Sequence, residues 1–270
     1  MYVTIADSGF LRTSKSMNMA ECNAEVKPSF FEWVYAEPDV ARFVTDSHLK
    51  MAEGTGQIAW VQEPFFLHPD NYQIALEKPF DYVITHNRYF ADNNHNWLWC
   101  NSAGSRISMN LWKMYEKTKD VSILLSHKKS MFGHRMRHDI VQMYGDKMDV
   151  FGLDNYIPNK VEALAPYRFS FIIENESCPG GFSEKIIDCI STGTIPVYWG
   201  CPNISDYFDA RGILQFETIH EIGEILTLLN EENYNNMLPY AKKNMEIIDK
   251  YTICEDYIYK EYPFLFEENK

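Results

Sequence analysis

The sequence predicts an α/β protein built from two domains, each with a parallel sheet wrapped by helices. Its 270 residues are enough for two domains of ordinary size. Apolar runs of strand length alternate with segments of helical period along the chain, a pattern typical of βαβ units. With 46% hydrophobic and 23% charged residues, the composition is close to the globular average.

Short apolar runs bounded by polar or turn residues predict the strands. They form two groups, before and after a turn-rich opening and helical pattern at 101–119. We place the domain boundary there, so that residues 1–112 form the first domain and 113–270 the second, which ends in a helical tail. The predicted strands are Tyr2–Ile5, Ala41–Val44, Ile58–Val61, Asp81–Thr85, Ser122–Ser126, Met148–Phe151, Phe169–Ile173, Ile195–Trp199 and Ile213–Phe216.

The net charge of the chain indicates which partners to expect, and its cysteine pattern indicates the redox state of its compartment. The net charge of −13 would repel nucleic acid and anionic membranes, so we expect neither as a partner. The first residues carry no signal-peptide pattern and no stretch is apolar enough to span a membrane, which favours a cytoplasmic protein. Six cysteines without a CxxC pair are predicted to be free thiols: Cys22, Cys100, Cys178, Cys189, Cys201 and Cys254.

The stretch 167–207 carries the clearest sign of a ligand site. A helix that starts after a glycine loop points unpaired N–H groups and about half a positive charge at that loop, and a lysine in its first turn adds a full charge. In open parallel sheets ligands bind at this edge. The segment holds, in order, the strand Phe169–Ile173, the pair Glu174 and Asn175, the loop glycines Gly180 and Gly181, and the capping Ser183 with Glu184 and Lys185.

This stretch resembles the donor-binding signature of the α-1,3-fucosyltransferases, family 10 of the glycosyltransferases. In that signature a strand ending in Glu-Asn leads to a Tyr-Val-Thr-Glu-Lys turn, a helix, and an Ile-Pro-Val-Tyr-Trp-Gly-x-Pro strand and loop. The matching elements here are Glu174-Asn175, Phe182-Ser183-Glu184-Lys185, and Ile195 to Pro202, which includes Tyr198. Phe182 stands where the family usually has Tyr, and Ser183 replaces Thr.

The resemblance implies a role for each matched residue. Glu184 would hold the ribose hydroxyls of a nucleotide and Lys185 its diphosphate. A second segment, 122–152, resembles the family too, where an Arg opening the equivalent helix binds the phosphates; Arg137 is the first choice and Arg135 the second. The expected donor-binding set is Arg137, Glu174, Asn175, Phe182, Ser183, Glu184 and Lys185, with Arg135 and Tyr198 as further candidates.

Alternatives stay open for these basic and imidazole side chains. Either Arg could be a solvated helix residue. His134 and His138 lie four residues apart on the same predicted helix, a spacing that can hold a metal ion. Because no third ligand follows nearby, we predict no metal site.

In the N-terminal half, the segments IAWVQEPFFLHPDNY and FDYVITHNRYF resemble the acceptor-domain segment of the family, in which a strand ends in a catalytic Glu. Glu63 matches that position, and by the resemblance it would take the proton from an acceptor hydroxyl. The alternative is a surface Glu before Pro64. His68 and His86 follow in loops that could contact acceptor or donor.

The resemblance implies the GT-B arrangement: two Rossmann-like domains facing each other across a cleft, acceptor groups on the first and donor groups on the second. The implied reaction is inverting transfer of L-fucose from GDP-fucose to a glycan hydroxyl, without cofactor. No Asp-x-Asp triplet occurs, so the leaving group is expected to depend on Arg and Lys instead of a metal. The alternatives are another nucleotide-sugar donor, or a non-catalytic protein that binds sugar nucleotides or glycans.

Overall fold

The computed structural model describes residues 1–7, 27–102 and 104–267. The chain divides into two compact units, Met1–Gly104 with Lys250–Lys270, and Ser105–Asp249. This division differs from the expected split between 112 and 113, chiefly because the end of the chain belongs with the first unit. Within the described ranges, no helix is both long enough and apolar enough to cross a membrane.

The bounds of the elements follow in chain order. The strands are β1 Tyr2–Ala6, β2 Glu32–Tyr35, β3 Phe43–Thr45, β4 Ile58–Val61, β5 Tyr82–Thr85, β6 Trp97–Trp99, β7 Lys119–Leu125, β8 Asp149–Gly152, β9 Tyr167–Ile173, β10 Ile195–Trp199 and β11 Leu214–Gln215. The helices are α1 Pro69–Glu77, α2 Arg88–Asn93, α3 Phe132–Tyr144, α4 Val161–Leu164, α5 Glu184–Ser191, α6 Ile222–Leu228, α7 Glu231–Ile247, α8 Asp249–Thr252 and α9 Cys254–Glu261.

The first unit is built on a sheet of order β2-β1-β3-β4-β5-β6, in which every pairing is parallel. Strand β2 lies beside β1 at one edge, and the chain then returns past β1 to form β3. The strand order therefore reverses between β1 and β3. In sheets of this kind the crevice at such a switch point is where ligands bind.

The second unit is also built on a parallel sheet, of order β11-β10-β9-β7-β8. Its strand order reverses between β7 and β9, and α3 and α5 follow these two strands. The core joins apolar side chains from the sheet, such as Phe171 and Val197, with Ile140 of α3 and Ile222 of α6. The carboxyl ends of β7 and β9 are thus the expected ligand edge of this unit.

The end of the chain packs against the first unit through aromatic side chains. The ring of Phe266 lies 4.9 Å from that of Phe31 and 5.6 Å from that of Phe43, centroid to centroid. Tyr257 of α9 packs edge-on against Trp99 at 5.4 Å. These contacts remove apolar surface of the first sheet from water, which explains why the tail does not belong to the second unit.

Every strand predicted from the sequence is present, with bounds shifted by a few residues. The strands β2 and β6, which form the two edges of the first sheet, were not among the predictions. The free cysteines of the described chain, Cys100, Cys178, Cys189, Cys201 and Cys254, are buried. Cys22 lies outside the described residues.

Candidate active site

At the switch point of the second sheet, the start of α3 is pressed against the end of β9. The backbone N–H of Gly133 donates to the carbonyl of Asn175 at 3.0 Å. A Cβ atom at Gly133 would lie 1.7 Å from the carbonyl oxygen of Glu174, so only glycine permits this approach. The helix start and the Glu174-Asn175 pair are therefore immediate neighbours.

Arg137 reaches the same place from one turn further along α3. Its guanidinium is buried and donates to the carbonyl of Ile173 and, at 3.2 Å, to Oδ1 of Asn175. Burial lowers its pKa, and the charges of Glu174 and Glu184 oppose that shift. Arg135 is exposed and donates to the carbonyls of the loop before the helix, at 3.2 Å and 3.1 Å. Of the two predicted arginines, Arg137 is the one that meets Asn175.

Glu174 organises the start of α5. Its buried carboxylate accepts from the Ser183 N–H at 3.0 Å, the Ser183 hydroxyl at 2.6 Å and the Lys185 ammonium at 3.1 Å. The Ser183 hydroxyl in turn accepts from the Lys185 N–H as the cap of the helix, which confirms the predicted capping role. With its oxygens occupied in this way, Glu174 is an anchor for Ser183 and Lys185 more than a direct ligand group.

Glu184 sits among three cations. Its carboxylate lies 3.6 Å from the Lys185 ammonium, 3.7 Å from the Arg106 guanidinium and 3.8 Å from the Lys160 ammonium. Burial opposes ionisation of Glu184, but the charges of Lys185, Lys160 and Arg106 outweigh it and hold its pKa well below the ordinary range. Glu184 is therefore an ionised acceptor at neutral pH, as bonding to a diol requires.

Lys160 and Arg106 were not predicted as site residues. Lys160 also forms a 2.6 Å ion pair with the buried Asp188 of α5, whose carboxylate accepts from the Arg106 N–H at 2.7 Å. Lys160 lies a few residues before the stretch 167–207 and Arg106 lies in a segment further upstream, so both reach Glu184 only through the fold. No local motif marks either of them.

Two residues of the predicted set have side chains that serve packing. Phe182 is fully buried, with its ring 5.0 Å from Tyr207 and 5.4 Å from Phe208. Tyr198 is fully buried too, and its hydroxyl accepts from the Cys201 N–H at 3.1 Å. The side chains of Phe182 and Tyr198 therefore support the loop from within, and we assign neither a direct ligand contact.

The two histidines of α3 are engaged in local hydrogen bonds. The Nδ1 atom of His134 accepts from the Met131 N–H at 3.2 Å, which closes a capping box at the start of the helix. The Nε2 atom of His138 lies 3.0 Å from the carbonyl of Ser126. Burial lowers the pKa of His134, with Arg137 acting in the same direction. These contacts explain both residues without a metal.

At the carboxyl edge of the first sheet, Glu63 follows β4 and is exposed. Its backbone N–H, with that of Gln62, points to the carboxylate of Asp46, which follows β3. Asp7, which follows β1, is buried and accepts from the hydroxyl of Thr45. Three carboxyl groups thus lie at neighbouring strand ends, and only Glu63 was predicted from the sequence.

The two predicted histidines of this unit differ in their surroundings. His68 is exposed and precedes α1 as its cap residue. His86 is buried directly after β5, and its carbonyl accepts from the Trp99 indole N–H at 2.9 Å. His86 lies at the same sheet edge as Glu63, whereas His68 lies beyond it.

Comparisons with known proteins agree with this architecture. No protein-family model matches the chain. Over 86 residues the chain is 31% identical to the α-(1,3)-fucosyltransferase FucT of Helicobacter pylori, a match covering 32% of the chain and 16% of that protein. Over 113 residues it is 26% identical to α-(1,3)-fucosyltransferase B of Drosophila melanogaster, covering 40% of the chain and 26% of that protein.

The chain resembles the α-1,3-fucosyltransferases in both sequence and fold. A solved α1,3-fucosyltransferase with GDP superimposes on all of this chain and 91% of its own, with a TM-score of 0.62 and 16% identity. A solved α1,3-fucosyltransferase with GDP-fucose superimposes with a TM-score of 0.58 and 16% identity, and the match covers 100% of this chain and 91% of that one. The predicted resemblance and the predicted fold class, α/β with two parallel-sheet units of GT-B type, are confirmed. The matched segments span only 16% and 26% of the length of the curated relatives.

Proposed function

We propose that this chain is an inverting fucosyltransferase that transfers L-fucose from GDP-fucose to a hydroxyl group of a glycan. The observation that carries the proposal is the cluster at the switch point of the second sheet, where Arg137 and Lys185 flank the Glu174-Asn175 pair. A fold similar to fucosyltransferases solved with GDP and GDP-fucose supports the choice of donor.

In the proposed reaction, Glu63 takes the proton from the acceptor hydroxyl as its oxygen forms a bond to the anomeric carbon of the sugar. The bond between that carbon and the β-phosphate oxygen breaks, and GDP leaves with the electron pair. Lys185 and Arg137 stabilise the negative charge on the diphosphate, and ionised Glu184 accepts from the ribose hydroxyls. Direct displacement at the anomeric carbon inverts its configuration.

Donor recognition is tested by calorimetric titration of the protein with GDP, UDP, ADP and CMP in the presence of a chelator. We expect GDP to bind selectively and Lys185→Ala to weaken it about tenfold or more, since a charge-assisted bond contributes roughly 1.5–3 kcal/mol. Lys147→Ala is the matched control, because it removes the same charge from an exposed position in the same unit. If another nucleotide binds more tightly than GDP, the donor is a sugar linked to that nucleotide. If none of the nucleotides binds, the proposed donor site is wrong.

Catalysis is tested with Glu63→Gln, which keeps the size of the side chain and removes its basicity. We expect GDP release from GDP-fucose, measured with a panel of disaccharide acceptors, to fall at least a hundredfold while GDP affinity is unchanged. Glu53→Gln, another exposed position of the first unit, serves as the control. Retained activity in Glu63→Gln would show that the base is another residue. The anomeric configuration of the product, read by NMR, tests inversion.

A further inference from the structure

Asp46 occupies the switch point of the first sheet. It follows β3, and the neighbouring strand β1 leads to Asp7, whose carboxylate accepts from the hydroxyl of Thr45, the residue before Asp46. On the other side β4 leads to Glu63. In a parallel sheet this is the crevice where a ligand binds, and the described residues put carboxyl groups at three adjacent strand ends there.

One carboxylate oxygen of Asp46 accepts hydrogen bonds both from the backbone that follows β4 and from a side chain of α1. Its Oδ1 atom accepts from the Gln62 N–H at 3.1 Å, from the Asn71 side-chain amide of α1 at 3.1 Å, and at a longer 3.4 Å from the Glu63 N–H. The backbone that carries Glu63 is therefore tied to Asp46 at the point where it leaves the sheet.

The backbone of Asp46 is itself unusual. Its φ is +34°, in a left-handed region that residues other than glycine seldom adopt. Such conformations cost free energy and persist where the surrounding contacts impose them, most often at functional sites. In this conformation the Asp46 carboxylate accepts from the backbone N–H groups of Gln62 and Glu63.

We infer that Asp46 is a positioning residue for proton transfer: its carboxylate holds the backbone that carries Glu63 in place at the end of β4. This inference rests on the proposed function, in which Glu63 deprotonates the acceptor. An ionised carboxylate accepts backbone N–H groups more strongly than a protonated one, so the charge state of Asp46 sets how firmly it holds this backbone.

The surroundings of Asp46 make this charge change near neutral pH. Burial raises the pKa of Asp46 to about 7; the charges of Glu63 and Asp7 act in the same direction, and the backbone N–H groups of Gln62 and Glu63 oppose the shift. The contact from α1 is the neutral amide of Asn71. The charge of Asp46 therefore changes as the pH passes through about 7.

The experiment compares kcat, KM for GDP-fucose and the pH profile of the wild-type chain, Asp46→Asn and Asp46→Ala. GDP release from GDP-fucose with a disaccharide acceptor, or with water, is the readout. Asp46→Asn keeps a hydrogen-bond acceptor but stays neutral, so we expect the rise of kcat between pH 6 and pH 8 to disappear. Asp46→Ala loses the acceptor too, and we expect kcat to fall a further tenfold with KM for the donor unchanged.

Asp81→Asn is the matched control. Asp81 also accepts a backbone N–H, from Gly56 at 3.0 Å, and pairs with Arg42 at 2.7 Å, but it precedes β5 and so lies at the opposite edge of the same sheet. We expect it to lower Tm and to leave kcat and its pH profile as in the wild type.

The outcomes separate the inference from the proposed function. If the Asp46 variants match Asp81→Asn in kcat and pH profile while Glu63→Gln is inactive, the inference is wrong and the proposed function stands. If Glu63→Gln keeps its activity, the proposed base is wrong and the inference falls with it. Should Asp46→Ala fail to fold, judged by circular dichroism, Asp46→Asn decides by its pH profile alone.

Discussion

At the scale of single residues, carboxyl groups of the two sheet edges are held in opposite charge environments. Glu184 is surrounded by Lys185, Lys160 and Arg106, which keep it ionised. Asp46 is partly buried near the carboxylates of Glu63 and Asp7, and both its burial and their charges favour its protonated form. The carboxylate proposed to bond ribose hydroxyls is thus kept ionised, whereas the one that holds the Glu63 backbone changes charge near neutral pH.

The environment of Asp46 predicts a pH-dependent gain of stability in Asp46→Asn. Its folded-state pKa of about 7 lies above the unfolded value of about 3.9, so its favourable contribution is fully present below about pH 4 and is lost as pH rises through 7. A neutral Asn avoids that loss. We expect Asp46→Asn to raise Tm by about 3 °C or more at pH 8 and to change it little at pH 4.5.

Thermal melts of the two proteins across this pH range provide the measurement. The wild type is the reference at each pH, because every other titrating group is common to both proteins. An equal shift of Tm at both pH values would mean that the Asp46 carboxyl does not titrate near 7.

At the scale of elements, the geometry of the proposed donor site depends on how closely α3 approaches β9. Gly133 makes this approach possible, and the helix then delivers Arg137 to Ile173 and Asn175. The capping Ser183 of α5 and the strand before it follow local rules and were predicted from sequence. The distance between α3 and β9 depends on chain segments far apart, which local patterns do not encode.

We expect Gly133→Ala to destabilise the second unit and to weaken GDP binding. The added Cβ would lie 1.7 Å from the Glu174 carbonyl oxygen, so the helix must move and carry Arg137 with it. Overpacking of this kind costs about 1–3 kcal/mol. Urea unfolding and GDP titration measure the two effects.

Gly145→Ala at the other end of α3 is the control for this substitution. Its φ is −63°, and its Cβ would meet only the Val141 side chain, at 3.4 Å, and Val150 at 3.9 Å. We expect stability and GDP affinity close to the wild type there. Equal behaviour of the two variants would contradict the role given to the helix approach.

At the scale of the whole molecule, the last helix completes the first unit although it follows the second in the sequence. Tyr257 is buried and lies edge-on to Trp99 at 5.4 Å. We expect Tyr257→Ala to lower the stability of the first unit by about 3 kcal/mol, as large aromatic truncations in cores do. GDP affinity should stay within about twofold, because the proposed donor residues belong to the other unit.

The measurement combines a thermal melt with GDP titration, and Tyr156→Ala, at a position that is 82% exposed, is the control. A large loss of GDP affinity in Tyr257→Ala would show that the donor site depends on the first unit.

The sequence by itself determined what depends on local pattern. The fucosyltransferase type of the donor loop came from the resemblance of 174–185 to a known family. Apolar runs and helical periods predicted the parallel α/β architecture and most of its strands, and local pattern predicted the strand, glycine loop and capped helix at 174–185. Those features are encoded within a few residues, by burial, capping and glycine placement. Glu63 and Arg137 were chosen from the family resemblance, and their roles stay predictions.

Only the tertiary structure decided which distant groups meet. It brought Lys160 and Arg106 to Glu184, put Asp46 beside Glu63, and turned Phe182 into the protein interior. It also returned the chain end to the first sheet. The physical reason is that strand order and helix packing set these distances, and both arise from the burial of apolar surface between segments separated by tens to hundreds of residues.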